Sequence, residues 1–130
     1  WKHRAEYVAQ TRAFLRAECD LRIGELILGF RSPEERRTFF ARQAGVKGIG
    51  MKESSHFLRN IGFRGYAILD IHIMRSLHAL GWSDDPRSPS PPGRYLAGEN
   101  SFRRFAESLV IEPDEMDLLL WSNWTGAILK

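Results

Sequence analysis

Cysteine is almost absent: the 130 residues contain one, Cys19. A single thiol excludes a disulfide framework within the chain and any all-cysteine iron–sulfur or zinc site, and it suits a reducing cytoplasm. No apolar run approaches the roughly 20 residues of a membrane span, so no membrane partner is expected. The opening residues lack the charged-then-apolar layout of a secretory leader. Alternating apolar and polar residues, the mark of a half-buried strand, occur nowhere at length, and no internal repeat is present. A dominant charge sign is missing too. Nineteen Lys and Arg against sixteen Asp and Glu leave a net +3, which permits an acidic partner such as nucleic acid without requiring one. His56, His78 and Glu53 follow neither H-E-x-x-H nor a repeated E-x-x-H spacing, so no metal site is expected from side chains. Carbonyls of a turn could still hold a monovalent cation.

What remains is the composition of an ordinary globular protein, 43% hydrophobic and 27% charged, and one helical domain over 1–130 is expected. Tyr7, Val8, Phe14 and Leu15 recur at helical spacing within residues 4–18. A shorter apolar stretch, Leu21 to Phe30, reads as a second helix. "SPEERRTFFARQAG" carries a strong start signal, with Ser32 as N-cap, Pro33 at the first helical position and Glu35 completing a capping box. Gly45 is expected to end that helix. "MKESSHFLRNIGF" opens the next, with Phe57, Leu58 and Ile61 inward. Asp70 is placed to cap a helix carrying Ile73, Met74, Leu77 and Leu80, and Gly81 to stop it. The Pro- and Ser-rich segment 83–93 reads as a surface loop. "ENSFRRFAESLVI" and "EPDEMDLLLWSNWTGAILK" supply the last two helices. The fold class is all-α. The chain enters a helical pattern at Trp1, and a preceding segment is expected.

Two helices joined by the hairpin at 46–50, Val46-Lys47-Gly48-Ile49-Gly50, have the form of a helix–hairpin–helix. Gly48 and Gly50 would bring backbone N–H groups up to a ligand with no Cβ in the way. Beside a helix N-terminus, those amides suit a phosphate oxygen, and Ile49 would tuck inward to hold the turn. Lys52 follows two residues past the second glycine, and Asp70 lies within "ILDIHIMR".

"GIGMK" followed by "LDIH" resembles the signature of the helix–hairpin–helix DNA glycosylases with β-lyase activity. The match is closer to the type-2 8-oxoguanine DNA glycosylase/AP lyases. "KGIGMKESSHFLRNIGF", the opening "RAEYV" and the closing "DLLLW…TG…K" are similar to that branch, and the resemblance covers essentially the whole chain. Two features depart from it: the branch carries an arginine where this chain has Ile71, and its members are longer at the N-terminus. The resemblance implies a helix–hairpin–helix glycosylase fold, a catalytic lysine at Lys52 and a catalytic aspartate at Asp70. It also implies that His72 faces the DNA backbone, beside the hairpin contacts expected of Gly48 and Gly50 and a phosphate contact open to Lys47, and a monomeric repair enzyme acting on double-stranded DNA containing 8-oxoguanine, in the cytoplasm at the nucleoid. The related branch also ends at a lysine corresponding to Lys130.

The chemistry suits these residue types. An amine can displace a base at the sugar C1′ and form a Schiff base, from which the 3′ phosphate leaves by β-elimination. A carboxylate beside C1′ can balance oxocarbenium-like charge or relay the amine proton. Trp121 and Trp124, three apart on the last helix, are core residues in the plain reading and a clamp for a flipped purine in the sharper one. The carboxylate of Lys130, or a carbonyl near it, is expected to supply part of the acceptor for the N7–H that distinguishes 8-oxoguanine from guanine. Arg59, Arg64 and Arg75 are further phosphate candidates. Two other readings stay open: a non-catalytic helix–hairpin–helix DNA-binding module, and a glycosylase for another damaged base.

Overall fold

The computed structural model describes residues 2–43 and 45–126. Among them are seven helices and no strand, and the all-α expectation holds. The chain forms two compact units, Trp1–Ser54 and Ser55–Lys130.

The first unit contains α1 (Lys2–Cys19), α2 (Ile23–Gly29), α3 (Pro33–Arg42) and the start of α4 (Met51–Asn60). Helix α2 begins later than its apolar pattern suggests, because Asp20 and Leu21 both adopt positive φ (50° and 60°) and break the helical path after α1. Ser32 caps α3 as expected, its Oγ accepting the Glu35 N–H at 3.1 Å. The reciprocal half of the capping box is shifted by one residue: Glu35 Oε2 accepts the N–H of Arg31 (3.0 Å), so the glutamate still satisfies an amide ahead of the helix. Arg36 reaches from α3 to the Ile27 carbonyl at 3.0 Å and to the Phe30 carbonyl, giving the end of α2 a cationic partner where its carbonyls lack intrahelical ones. Phe14, Phe30, Phe39 and Phe40 stack edge to tilted face, with Phe39 at the centre of each pair. Helix α3 stops at Arg42 with Gln43 as its C-cap, ahead of the expected Gly45, so Gly45 belongs to the turn instead.

The second unit contains the rest of α4, then α5 (Ile71–Ala79), α6 (Pro92–Ser108) and α7 (Pro113–Thr125). Leu58, Leu69, Ile73, Leu77, Phe102 and Met116 form its buried interior. Helices α5 and α6 pack so closely that a Cβ added at Gly98 would sit 3.3 Å from Leu69 and 3.5 Å from the Met74 sulfur. Gly81 adopts φ 77°, which lets the Trp82 N–H return to the Leu77 carbonyl at 2.8 Å and close α5. Three expectations need correction. Ile61 and Leu80 are exposed, because each falls just beyond the last helical residue, where the inward stripe has ended. The 83–93 loop is shorter than its composition suggests, since α6 begins at Pro92. A proline in the first turn forfeits no hydrogen bond, as that N–H has no intrahelical acceptor. For the same reason α6 starts well before "ENSFRRFAESLVI".

Candidate active site

In the first unit the hairpin is anchored on α1. Thr11 Oγ1 accepts the Lys47 N–H at 3.0 Å, and Tyr7, one helical turn earlier, lies under Gly48. Gly48 has φ 74°, and a Cβ there would meet Tyr7 Cδ2 at 2.8 Å. Both the dihedral and the close approach therefore require glycine. Val46 is the buried residue of the turn, whereas the expected anchor Ile49 is only half-buried. The Lys47 side chain is exposed, although its amide is committed to Thr11.

Helix α4 starts directly from the hairpin. The Ser54 N–H donates to the Gly50 carbonyl at 2.9 Å, and the Gly50 N–H donates to Glu53 Oε2 at 3.3 Å. A carboxylate from the helix's own first turn thus occupies the position in which a phosphate oxygen was envisaged. Lys52 Nζ lies 3.4 Å from the other oxygen of Glu53, and the Lys52 side chain is 44% exposed. Burial lifts the Glu53 carboxyl, but its own backbone N–H, Lys52 and the Gly50 N–H outweigh that and hold it below its usual value. An exposed pair of this kind contributes little stability, and the amine stays accessible. Lys47, Gly48, Gly50 and Lys52 are therefore gathered at one end of α4.

In the second unit Asp70 is the N-cap of α5. Its Oδ1 accepts the N–H groups of His72 (2.8 Å) and Ile73 (2.9 Å). Both bonds fall on one oxygen, and Oδ2 makes no hydrogen bond among the described residues. The aspartate caps with one oxygen and presents the other. His72 is half-buried, and its Nδ1 is buried without a partner among the described residues. The ring of Trp124 lies 6.0 Å from that of His72. The Trp124 indole N–H donates to Ser76 Oγ at 2.7 Å, and the Ser76 hydroxyl donates to the His72 carbonyl at 3.0 Å. Trp124, although 48% exposed, is thereby held against the first turns of α5. Trp121 is half-buried and has no ring contact or side-chain hydrogen bond among the described residues. Lys130 lies outside the described residues.

Asp70 is delivered by a strap without helix or strand, residues 65–69, between α4 and α5. The strap's amides go to side chains: Gly65 N–H to Asp114 Oδ1 (3.0 Å), Ala67 N–H to Glu99 Oε1 (3.4 Å), Ile68 N–H to Asp117 Oδ2 (2.9 Å). The Tyr95 hydroxyl accepts the Leu69 N–H at 3.3 Å and donates to the Ala67 carbonyl at 2.7 Å. Arg103 donates to the Gly65 carbonyl and pairs with Glu99, and Arg59 pairs with Asp117. Arg59, considered above as a phosphate contact, is thus committed inward, while Arg64 and Arg75 are exposed. Burial pushes the Asp117 carboxyl up to about 6, against the opposing pull of the Ile68 N–H and Arg59, with Asp114 adding to the rise. Sequence reasoning missed this set. The local signal was no more than two acids near the start of α7, Asp114 and Asp117, a placement that the helix dipole by itself favours. Among the described residues no three His, Cys, Asp or Glu side chains are grouped to hold a metal ion.

Comparison with known proteins agrees with the fold. Residues 1–111 match the family described as 8-oxoguanine DNA glycosylase. The chain is 35% identical over its whole length to the 8-oxoguanine DNA glycosylase/AP lyase of Methanocaldococcus jannaschii, covering 59% of that protein. It is 34% identical to the Fusobacterium nucleatum protein of the same name, over 98% of this chain and 58% of that one. The crystal structure of the M. jannaschii enzyme with a 15mer DNA containing 8-oxoguanine superposes with a TM-score of 0.82 at 35% identity, covering 98% of this chain and 58% of that one. The 8-oxoguanine DNA glycosylase of Thermotoga maritima gives a TM-score of 0.78, covering 57% of its chain. The chain therefore spans less than two thirds of the length of these relatives. On fold and sequence together, it belongs to the 8-oxoguanine DNA glycosylase family of helix–hairpin–helix proteins.

Proposed function

We propose that this protein excises 8-oxoguanine from double-stranded DNA and then cleaves the abasic strand by β-elimination, with Lys52 as the nucleophile. The observation that carries this reading is the placement of an accessible amine in the first turn of α4, directly after the glycine hairpin. The neutral amine attacks C1′, the C1′–N9 bond breaks, and the base leaves with the bonding electrons and takes up a proton. The secondary amine opens the sugar to a Schiff base. Loss of a C2′ proton then expels the 3′ phosphate. Asp70, through the oxygen not used in capping, balances positive charge at C1′ and accepts the amine proton.

The amine must be neutral to attack, and lowering a lysine pKa from about 10.4 to about 7.5 takes about 4 kcal/mol. A helix N-terminus supplies at most about 1 kcal/mol at an exposed site, so dehydration under bound DNA must supply most of the rest. The exposed Lys47 side chain contacts the phosphate backbone, and Gly50 offers its amide to phosphate once Glu53 is displaced. His72 faces the same backbone, and Trp124 stacks on the flipped base. The enzyme acts as a monomer in the cytoplasm, on nucleoid DNA, without a metal cofactor.

The direct test is incubation with a duplex carrying one 8-oxoguanine. Release of the free base together with a nick bearing a 3′ unsaturated aldehyde is the expected result. Tight binding with an intact strand and base would leave a DNA-binding module and overturn the proposal.

A further inference from the structure

The strap 65–69 is backbone without helix or sheet, yet Tyr66, Ala67 and Leu69 are almost wholly buried. Buried amides and carbonyls need partners, and here side chains of α4, α6 and α7 provide them. We propose that Tyr95, together with Glu99, Asp114 and Asp117, forms a positioning set that fixes Asp70 at its reacting distance by holding the strap in register. This inference rests on the role of Asp70 set out above and adds residues that act through the backbone of the strap.

The geometry distinguishes this arrangement from general core packing. Apolar packing resists separation but tolerates sliding, whereas an acceptor aimed at one amide fixes that residue. The Tyr95 hydroxyl bridges residues 67 and 69, donating to one and accepting from the other. One of its two bonds therefore ends on Leu69, the residue immediately before Asp70, and the other two residues earlier on Ala67. A slip of one residue along the strap would displace Asp70 by at most about 3.3 Å, and a misplacement of about 1 Å is enough to reduce catalysis about a hundredfold. Asp114 and Asp117 fix residues 65 and 68 in the same way. Tyr95 is 1% and Asp117 5% exposed. Buried carboxylates are unfavourable unless neutralised, and Arg103 beside Glu99 and Arg59 beside Asp117 serve that purpose. A carboxylate oxygen, when ionised, holds a backbone N–H more strongly than a neutral acceptor does.

The test is a cycle of single-turnover excision rates in the intact protein: wild type, Tyr95→Phe, Asp70→Asn and the double variant, each with affinity for an abasic-site duplex. Tyr95→Phe deletes one oxygen and keeps the ring. The expected result is a fall of about tenfold to a hundredfold in rate with unchanged affinity, and no further fall when it is added to Asp70→Asn. An unchanged rate, or an equal proportional fall in both backgrounds, overturns the positioning role. Full activity of Asp70→Asn would instead overturn the role assigned to Asp70 itself. Asp114→Ala, which removes the acceptor for Gly65 from a half-buried site, repeats the test should Tyr95→Phe fail to fold, and the same non-additivity with Asp70→Asn is expected.

Discussion

Two residues on the hairpin side show how far a single position is determined by its surroundings. Gly48 carries φ 74° and would place a Cβ 2.8 Å from Tyr7, so alanine there is strained in two ways at once. Gly48→Ala is predicted to destabilise the protein by about 1–3 kcal/mol, read as a lower urea midpoint with an unchanged m-value. Unaltered stability would mean that the turn relaxes and that its glycine serves only a ligand. Lys52 is the opposite case. It is held by one exposed contact to Glu53, and little in the folded protein depends on it, so substitution there should be read in chemistry and not in stability. Asp70 lies between these extremes, because capping uses one carboxylate oxygen and leaves the other.

At the scale of elements, what could be read from sequence was what is decided locally. Ser32 and Pro33 start α3, Asp70 starts α5 and Gly81 ends it, because a cap is a bond between residues two to five apart. Ser32→Ala is accordingly predicted to cost about 1 kcal/mol, measured as a fall in melting temperature, and no change would show that Pro33 and the acidic first turn suffice. The hairpin was legible for the same reason. The strap was not, because its partners lie far along the chain: 49 residues separate Ile68 from Asp117 and 28 separate Ala67 from Tyr95. Nothing in the local pattern distinguishes an acid that caps α7 from one that holds another segment's amide. The start of α6 was misread because Pro91 and Pro92 look like breakers, although a first turn tolerates both. Ile61 fits an apolar pattern but lies past the last helical residue of α4, and Ile49 is only half-buried because Val46 takes the inward place in the turn.

For the whole molecule, two consequences can be measured in bulk. The first is stability against pH. Asp117 has a folded pKa of about 6 against 3.8 for an ordinary carboxyl, so the native state holds its proton where the unfolded state releases it. Its contribution is therefore favourable at low pH and is lost as pH rises through the window from 3.8 to about 6. Between pH 5 and 7, the unfolding free energy of wild type should fall by about 1–2 kcal/mol relative to Asp117→Asn. Parallel curves would show that Arg59 keeps the aspartate ionised throughout. The second consequence is the one on which the account chiefly depends. A lysine Schiff base reduced by borohydride becomes a stable secondary amine, so an 8-oxoguanine duplex incubated with wild type and borohydride should yield a covalent protein–DNA adduct, attached at Lys52 on peptide mapping. Lys52→Gln should bind the duplex and give no adduct, while Lys47→Gln still does. An undiminished adduct with Lys52→Gln would contradict the assignment and place the nucleophile elsewhere.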